Sequence, residues 1–243
     1  MLKVVAIDGP SGAGKSTVAR TLAARLGWSY IDTGAMYRSV GLKADRLGVP
    51  LDDDPALARL CAATRIDVTP DPAGGVRVLL DGEDVSAVIR EHRVSELASR
   101  VSARRPVREA MTGYQRQLGE RHPAVLEGRD IGTVVFPDAF VKIFLTAAAE
   151  ERARRRTEEL RSRGQPADEG SVLADIRRRD EQDSGRVHAP LRPAADAVLV
   201  DTTGLGVEAV VHRLVEIVEM GLGRGKIDGG TQGKPVEFPA ALC

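Results

Sequence analysis

Aromatic residues are scarce in this 243-residue chain, at 3% of the sequence. Its core must therefore be built mainly from valine, leucine, isoleucine and alanine, within a hydrophobic content of 42%. The chain has no excess of either charge, because lysine plus arginine and aspartate plus glutamate number 35 each. General binders of nucleic acid or of membrane surfaces are more often basic overall. We therefore expect neither nucleic acid nor a membrane as a partner.

Cysteine and long apolar runs are also lacking. The two cysteines, Cys61 and Cys243, fit neither a disulfide framework nor the spacing of a metal site. The first apolar run stops at Asp8, which is too short for a signal peptide. No later run is long enough to cross a bilayer. We therefore expect a protein of the reducing cytoplasm.

Short apolar runs alternate with stretches of helical periodicity along most of the chain. Residues 2–7 predict a buried parallel strand, and residues 15–27 predict a helix capped by Gly27. This alternation is typical of an α/β fold with a parallel sheet and helices on both faces. Four further strands are predicted at 28–32, 124–128, 141–146 and 197–201.

The regular alternation lapses between about Arg65 and Arg93. Two short runs there, 65–69 and 76–82, predict an antiparallel pair that forms an insertion in the α/β unit. Helical patterns follow at about 91–103 and 106–120. The glycine-rich residues 222–243 lack periodicity and predict a flexible tail.

The stretch GPSGAGKST lies between the first predicted strand and the first predicted helix and fits the P-loop pattern. Its glycines let backbone N–H groups turn toward phosphate oxygens, and the helix start adds a positive dipole end. Lys15 is expected to face phosphate and solvent, and the Ser16 hydroxyl is expected to bind Mg²⁺. The motif predicts a nucleoside triphosphate, with ATP and Mg²⁺ as the expected ligands. The predicted loop residues are Gly9, Pro10, Ser11, Gly12, Ala13, Gly14, Lys15, Ser16 and Thr17.

A P-loop alone does not separate kinases from GTPases or other ATPases. The sequence has no Asn/Thr-Lys-x-Asp segment of the kind that reads guanine, which argues against a GTPase. The second substrate must therefore decide the function.

Three further motifs follow the P-loop in order: DTGAMYR at 32–38, EGRDIGTVVFPDAFVKIFL at 127–145 and RDEQDSGRVHAPL at 179–191. Together they resemble the cytidylate kinase family of nucleoside monophosphate kinases, from about Val4 to Glu219. The resemblance implies a P-loop NTPase with an adenylate-kinase-like, five-stranded parallel sheet. It also implies phosphoryl transfer from MgATP to CMP or dCMP, giving CDP or dCDP.

The resemblance also implies a domain organisation. We expect one kinase domain at 1–221, with a monophosphate-binding insertion at about 33–120. An arginine-rich lid is expected at about 150–166.

An acceptor monophosphate would bring two negative charges to a site that already holds a triphosphate. Arginine suits this task, because its guanidinium is always charged and binds phosphate oxygens in a fork. The resemblance implies that Arg38 and Arg129 contact the acceptor phosphate. Arg129 also follows a predicted strand, where ligands bind in open α/β sheets. On spacing alone, Arg38 could equally be a solvated charge on a helix face.

Three charged residues lie at the end of a predicted polar helix. The resemblance implies that Asp183 accepts hydrogen bonds from the ribose hydroxyls, with Arg179 beside it. It implies that Arg186 reaches toward the base and the phosphate. Without the resemblance, a surface charge run would be the better interpretation of this stretch.

The resemblance places four further residues near the acceptor nucleotide. Thr33 stands where the family has Ser or Thr, and Ser99 and Arg108 match base-contacting positions. A helical serine such as Ser99 more often bonds its own backbone. Asp130 matches a position at the amino edge of cytosine, which suits a carboxylate because it can only accept hydrogen bonds. Two other roles for Asp130 stay open, near Mg²⁺ or as a counter-charge to Arg129.

The predicted lid is dense in arginine, at Arg152, Arg154, Arg155 and Arg156. One or two of them should reach the triphosphate and stabilise charge during transfer. Spacing does not identify which, and Arg156 is our choice. The candidate catalytic residues are Lys15, Arg129, Arg156 and Arg186.

Two other functions stay open. Another small-molecule P-loop kinase, such as a shikimate or adenylate kinase, is disfavoured by the long insertion and by the motif at 127–137. A non-catalytic nucleotide-binding regulator could use arginines 152–163 as a basic patch, but the neutral charge and the lack of interleaved aromatics weigh against it. The sequence does not determine the oligomeric state, and a monomer is favoured.

Overall fold

The computed structural model describes residues 3–71, 76–162 and 164–224. Its strands are β1 (Val4–Asp8), β2 (Ser29–Asp32), β3 (Ile66–Pro70), β4 (Val76–Leu80), β5 (Glu83–Asp84), β6 (Ala124–Gly128), β7 (Val141–Thr146) and β8 (Val198–Asp201). Its helices are α1 (Lys15–Leu26), α2 (Thr33–Arg46), α3 (Asp54–Ala62), α4 (His92–Val101), α5 (Arg105–Gly119), α6 (Ala149–Ser162), α7 (Glu169–Ser184) and α8 (Val207–Arg224). A 3₁₀ turn at Val88–Arg90 and a π-helical turn at Ile131–Val135 complete the described elements.

Five strands form one parallel sheet in the order β2-β6-β1-β7-β8, which confirms the predicted fold class. The side chains of the central strand β1 alternate between the two faces of the sheet. Val4 and Ala6 join one hydrophobic cluster, and Val5 and Ile7 join the other. Because β1 is buried on both faces, its sequence is a continuous apolar run rather than an alternating one.

Helices cover both faces of this sheet. Helices α1 and α8 pack on one face, where Leu22 and Leu214 are fully buried. Helix α2 and the helices of the insertion pack on the other face around Met36. The connection that leaves β1 runs to β2 on one side of the sheet, and the connection that leaves the neighbouring β6 runs to β7 on the other side. A crevice therefore opens at the carboxyl ends of β1 and β6. This crevice is where such folds bind ligands.

The insertion contains the predicted antiparallel strands and one helix that the sequence analysis missed. Strands β3, β4 and the short β5 form a separate three-stranded antiparallel sheet. The missed helix is α3, whose start is capped by the Asp53 carboxylate accepting from the backbone N–H of Ala56. The signal for it was present, since an aspartate cap followed by Pro55 in the first turn is typical of a helix start.

Three helices, α6, α7 and α8, make up most of the last part of the described chain. Helix α6 packs against α7. Helix α8 continues to Arg224, so the first three residues of the predicted tail extend a helix. The rest of that tail, 225–243, lies outside the described residues. Among residues 3–71, 76–162 and 164–224, no helix combines the length and the apolar character needed to span a membrane.

Two glycines allow a test of how tightly the start of the phosphate loop packs. A Cβ at Gly9 would lie 2.0 Å from the carbonyl oxygen of Leu145, at a φ of +150°. A Cβ at Gly113, inside α5, would meet nothing within 4 Å. We expect Gly9→Ala to cost about 2 kcal/mol or more of stability, because backbone must move. We expect Gly113→Ala to raise the free energy of unfolding by about 0.5–1 kcal/mol, because alanine has the higher helix propensity.

Urea unfolding of both variants beside the parent protein measures these changes. A Gly9→Ala variant as stable as the parent would contradict the close packing of the loop on β7.

Candidate active site

Most of the predicted site residues line one cleft of about 980 Å³. Residues 11–17 of the phosphate loop line it, as does Arg156 from α6. Gly9 and Pro10 do not line the cleft and are buried. Long-range folding therefore assembles segments that lie far apart in the sequence. The other predicted residues that line the cleft are Thr33, Arg38, Ser99, Arg108, Arg129, Asp130, Arg179, Asp183 and Arg186.

The phosphate loop has the backbone conformation that glycine permits. Gly12 and Gly14 have φ values of +78° and +84°, a region that other residues rarely adopt. A Cβ at Gly12 would lie 3.1 Å from the Cβ of Arg152, so any larger residue there would have to displace the start of α6 slightly. Gly14 leads into α1, whose N-terminal dipole favours an anion. The loop fits a triphosphate.

Lys15 is buried, with 6% of its surface exposed, and its ammonium donates to the carbonyl oxygen of Pro10 at 2.6 Å. The expectation that this side chain faces solvent is therefore wrong. Burial, with the positive charge of Arg129 as the next cause, lowers the pKa of Lys15 to about 7. The lysine is thus held inside the loop next to a second cation, where an arriving phosphate would relieve the repulsion.

Asp8, at the end of β1, links the start of the phosphate loop to the turn that follows β6. Its carboxylate accepts from the backbone N–H groups of Ile131 at 2.8 Å and Gly132 at 2.7 Å. These residues begin the π-helical turn that follows Arg129 and Asp130. Sequence analysis did not assign a role to Asp8, although a carboxylate that ends an apolar strand was a signal for one.

Glu127, at the end of β6, is a second buried carboxylate that the sequence analysis missed. The Tyr30 hydroxyl donates to it at 2.6 Å, and the Thr33 hydroxyl donates to its backbone carbonyl at 2.6 Å. Burial and the nearby charge of Asp32 raise the pKa of Glu127, while hydrogen bonds from Ser16 and Tyr30 oppose the rise.

The oxygen atoms around Ser16 are suitable ligands for a magnesium ion that also binds phosphate. Mg²⁺ keeps several waters and takes one or two protein oxygens together with substrate phosphates. The Ser16 hydroxyl and the Glu127 carboxylate supply hard oxygen atoms at one place. The described residues contain no cluster of three or more His, Cys, Asp or Glu that could hold a metal. A metal here would therefore depend on the phosphates of a nucleotide.

Buried ion pairs hold together the part of the cleft that contains the residues expected to bind the acceptor nucleotide. Arg108 donates to Asp130, and both side chains are almost fully buried. Arg129 donates to Asp183 at 2.8 Å, and Arg186 donates to the other oxygen of the same carboxylate. Asp183 is 4% exposed, so the surface-charge interpretation is wrong for this residue. Asp130 balances Arg108, whereas the carboxylate bonded to Arg129 is that of Asp183.

The remaining acceptor residues lie at the wall of the cleft. Arg38 is partly buried and donates to Asp32 at 2.9 Å, so it is not a freely solvated charge. The other oxygen of Asp32 caps α2 by accepting from the backbone of Ala35. Arg179 is partly buried on α7, and burial lowers its pKa. Ser99 donates to Gln182 at 3.4 Å, which connects α4 to α7.

The arginines of α6 differ in position. Arg154 pairs at the surface with Glu151 and Glu158. Arg155 and Arg156 line the cleft, and Arg156 pairs with Glu159 at 2.7 Å. Arg155 and Arg156 therefore line the same cleft as the phosphate loop.

Arg152 is buried and connects the phosphate loop to α7, a contact that the sequence did not reveal. It donates to the backbone carbonyl of Ser11 at 3.0 Å and forms a two-point pair with Asp180 of α7. The phosphate loop, α6 and α7 therefore meet at this guanidinium.

Asp8 allows a test of the buried charge at the end of β1. Burial is the main cause that raises its pKa from 3.8 to about 6. The folded state thus holds this proton more tightly than the unfolded state, and the associated stability is lost as pH rises through 6. Between pH 5 and pH 7.5, the parent should lose about 1.4 kcal/mol relative to Asp8→Asn, which cannot ionise.

Urea unfolding of both proteins without nucleotide, at these two pH values, measures the difference. Equal changes in parent and variant would contradict a raised pKa at Asp8.

Comparisons with known proteins agree with this geometry. The family model described as cytidylate kinase matches residues 5–220. A cytidylate kinase of Syntrophotalea carbinolica is 53% identical over 215 residues, which cover 88% of this chain and 91% of that protein. A cytidylate kinase of Rhodococcus jostii is 53% identical over 224 residues, covering 92% and 97%. With a phosphate loop, a cleft of buried arginines and relatives of this similarity along nearly its whole length, the chain belongs to the cytidylate kinase family.

Proposed function

We propose that this protein transfers the γ-phosphoryl group of MgATP to CMP and dCMP, giving ADP with CDP or dCDP. The observation that carries the proposal is that one cleft holds both a phosphate loop and a separate set of paired, largely buried arginines. The first feature suits a triphosphate donor, and the second suits a nucleotide that brings its own phosphate. Membership of the cytidylate kinase family supports cytidine as the acceptor nucleoside.

The donor phosphates would lie in the loop of residues 9–17. Lys15 would bind the β and γ phosphates, and its charge would be restored because a phosphate outweighs the repulsion from Arg129. The Ser16 hydroxyl would hold Mg²⁺, which neutralises charge on the phosphate oxygens when bound. Arg156 would then approach the transferring group from α6 and stabilise its charge.

The acceptor phosphate would be held by Arg38 and Arg129. Each guanidinium already pairs with a carboxylate, so each is oriented before the substrate arrives. The acceptor phosphate is an adequate nucleophile, so no general base is required. The protein's contribution is to align the two phosphates and exclude water.

The nucleoside would be recognised by groups on both sides of the cleft. Asp183, with Arg179 beside it, would accept from the ribose hydroxyls, and Arg186 would reach toward the base and phosphate. Asp130 would accept from the amino group of cytosine, with Ser99 and Arg108 as donors nearby. Uracil presents an oxygen where cytosine has that amino group, and a carboxylate repels it.

An assay of ADP release tests the proposal. The protein with MgATP is given CMP, dCMP, UMP, AMP or shikimate in separate reactions. We expect rapid turnover of CMP and dCMP, slower turnover of UMP, and none of AMP or shikimate. Preference for AMP or shikimate would identify a different kinase, and no turnover of any acceptor would favour a nucleotide-binding regulator.

Lys15→Ala should abolish turnover while the fold is kept. We expect kcat to fall at least about 10²–10³-fold, as when a group that stabilises transition-state charge is removed. Stability should hold, because the variant removes a buried cation beside Arg129 rather than packed apolar surface. Thermal unfolding beside the assay separates the two effects. A folded variant with near-normal turnover would contradict the assigned role of the loop.

Asp130→Asn should narrow the preference for CMP over UMP. The amide can donate to the O4 oxygen of uracil, so we expect CMP efficiency to fall and the preference to shrink about tenfold or more. Asp183→Asn is the matched control. It also removes a buried carboxylate paired with arginine, but on the ribose side, and should lower CMP and UMP efficiency equally.

The ratio of kcat/KM for the two nucleotides is the measurement. If Asp130→Asn loses CMP and UMP turnover in equal proportion, and excess Mg²⁺ partly restores both, the carboxylate serves the metal instead of the base.

A further inference from the structure

Ser102 is a buried residue that neither the sequence motifs nor the proposed reaction uses. It caps the carboxyl end of α4, just before α5 begins, and 6% of its surface is exposed. It lines the same cleft as the acceptor residues. A buried serine at a helix corner usually satisfies its hydroxyl with nearby backbone.

The contacts of Ser102 go beyond that local role. Its hydroxyl donates to the backbone carbonyl of Ser99 at 3.0 Å and accepts from Arg186 at 2.9 Å. Its own backbone carbonyl accepts from Arg108 at 3.1 Å. One small residue therefore contacts Arg186 and Arg108 of the cleft and also the backbone of Ser99, which is expected to contact the base.

Arg186 has a charged partner in addition to the Ser102 hydroxyl. The same nitrogen, Nη2, also donates to Asp183, so the guanidinium would keep a carboxylate partner without Ser102. Asp183 lies on α7, three residues before Arg186, whereas Ser102 lies 84 residues away on the insertion. Two hydrogen-bond acceptors on different elements hold a guanidinium in one orientation more firmly than a single hydrogen-bond acceptor does.

We propose that Ser102 is a positioning residue that ties the insertion to Arg186 and sets the direction of Arg186 and Arg108 toward the acceptor nucleotide. This inference rests on the proposed function, because it concerns how the same cleft binds its acceptor. Ser102 would act through the arginines, and the donor half of the cleft would not depend on it.

Ser39 supplies a matched control. It is also fully buried, and its hydroxyl donates to the backbone carbonyl of Ala35 at 3.0 Å, the same type of bond that Ser102 makes to Ser99. No arginine contact of its hydroxyl is described. Ser39→Ala therefore removes a comparable buried hydroxyl without touching Arg186.

The test compares steady-state kinetics of the parent, Ser102→Ala, Ser102→Thr and Ser39→Ala. We expect Ser102→Ala to raise the KM for CMP about tenfold, the effect of losing one hydrogen bond to a charged group. The KM for ATP should stay within about twofold of the parent value. Ser102→Thr keeps the hydroxyl and should restore most of the CMP affinity, and Ser39→Ala should keep both KM values.

Three results would overturn the inference. They are a Ser102→Ala variant with unchanged KM for CMP, one in which both KM values rise together, and a Ser39→Ala variant with the same rise for CMP. The failure of the proposed function is distinguishable, because the parent itself would then not phosphorylate CMP. Isothermal titration of CMP into the parent and Ser102→Ala provides a second reading of the same affinity difference.

Discussion

The Asp8 carboxylate accepts two hydrogen bonds, from the backbone N–H groups of Ile131 and Gly132, and these join the phosphate loop to the turn after Arg129. Asp8 ends the strand that leads into the phosphate loop, and the two amides belong to the turn after Arg129. Both donors are backbone groups, and a Cβ at Gly132 would lie 3.4 Å from the Asp8 carboxylate and 3.2 Å from the Lys142 side chain, so the turn packs closely here. Burial disfavours the charge on Asp8, and the two amides partly offset that cost. One buried carboxylate thus ties the strand that leads into the phosphate loop to the turn after Arg129.

The arginines around this link each have a carboxylate partner: Arg108 with Asp130, Arg129 with Asp183, and Arg152 with Asp180. Buried pairs of this kind add little net stability, because desolvation consumes most of the attraction. Their effect here is on geometry. They keep several guanidinium groups close together and oriented, which an unpaired cluster of cations would resist.

Local pattern was enough to predict the parallel sheet, the phosphate loop and most helices, since those depend on periodicity and on glycine spacing. Family resemblance then supplied residues that spacing alone left open, such as Arg38 and Asp183. The missed features have a different origin. The burial of Lys15 and the role of Asp8 arise from contacts between elements distant in sequence. Helix α3 was missed although its cap and Pro55 were visible, because a helix of 9 residues gives only a weak periodic signal.

The guanidinium of Arg152 bonds the backbone of Ser11 on one side and Asp180 on the other. Asp180 is the residue after Arg179 and lies on the same helix as Asp183. A shift of the phosphate loop on binding one nucleotide would therefore reach the helix that also carries Asp183. Such a connection would make the two binding free energies interdependent, and thermodynamic linkage requires any such dependence to be equal in both directions. The enzyme would thus bind its second nucleotide with an affinity set partly by the first, whichever arrives first.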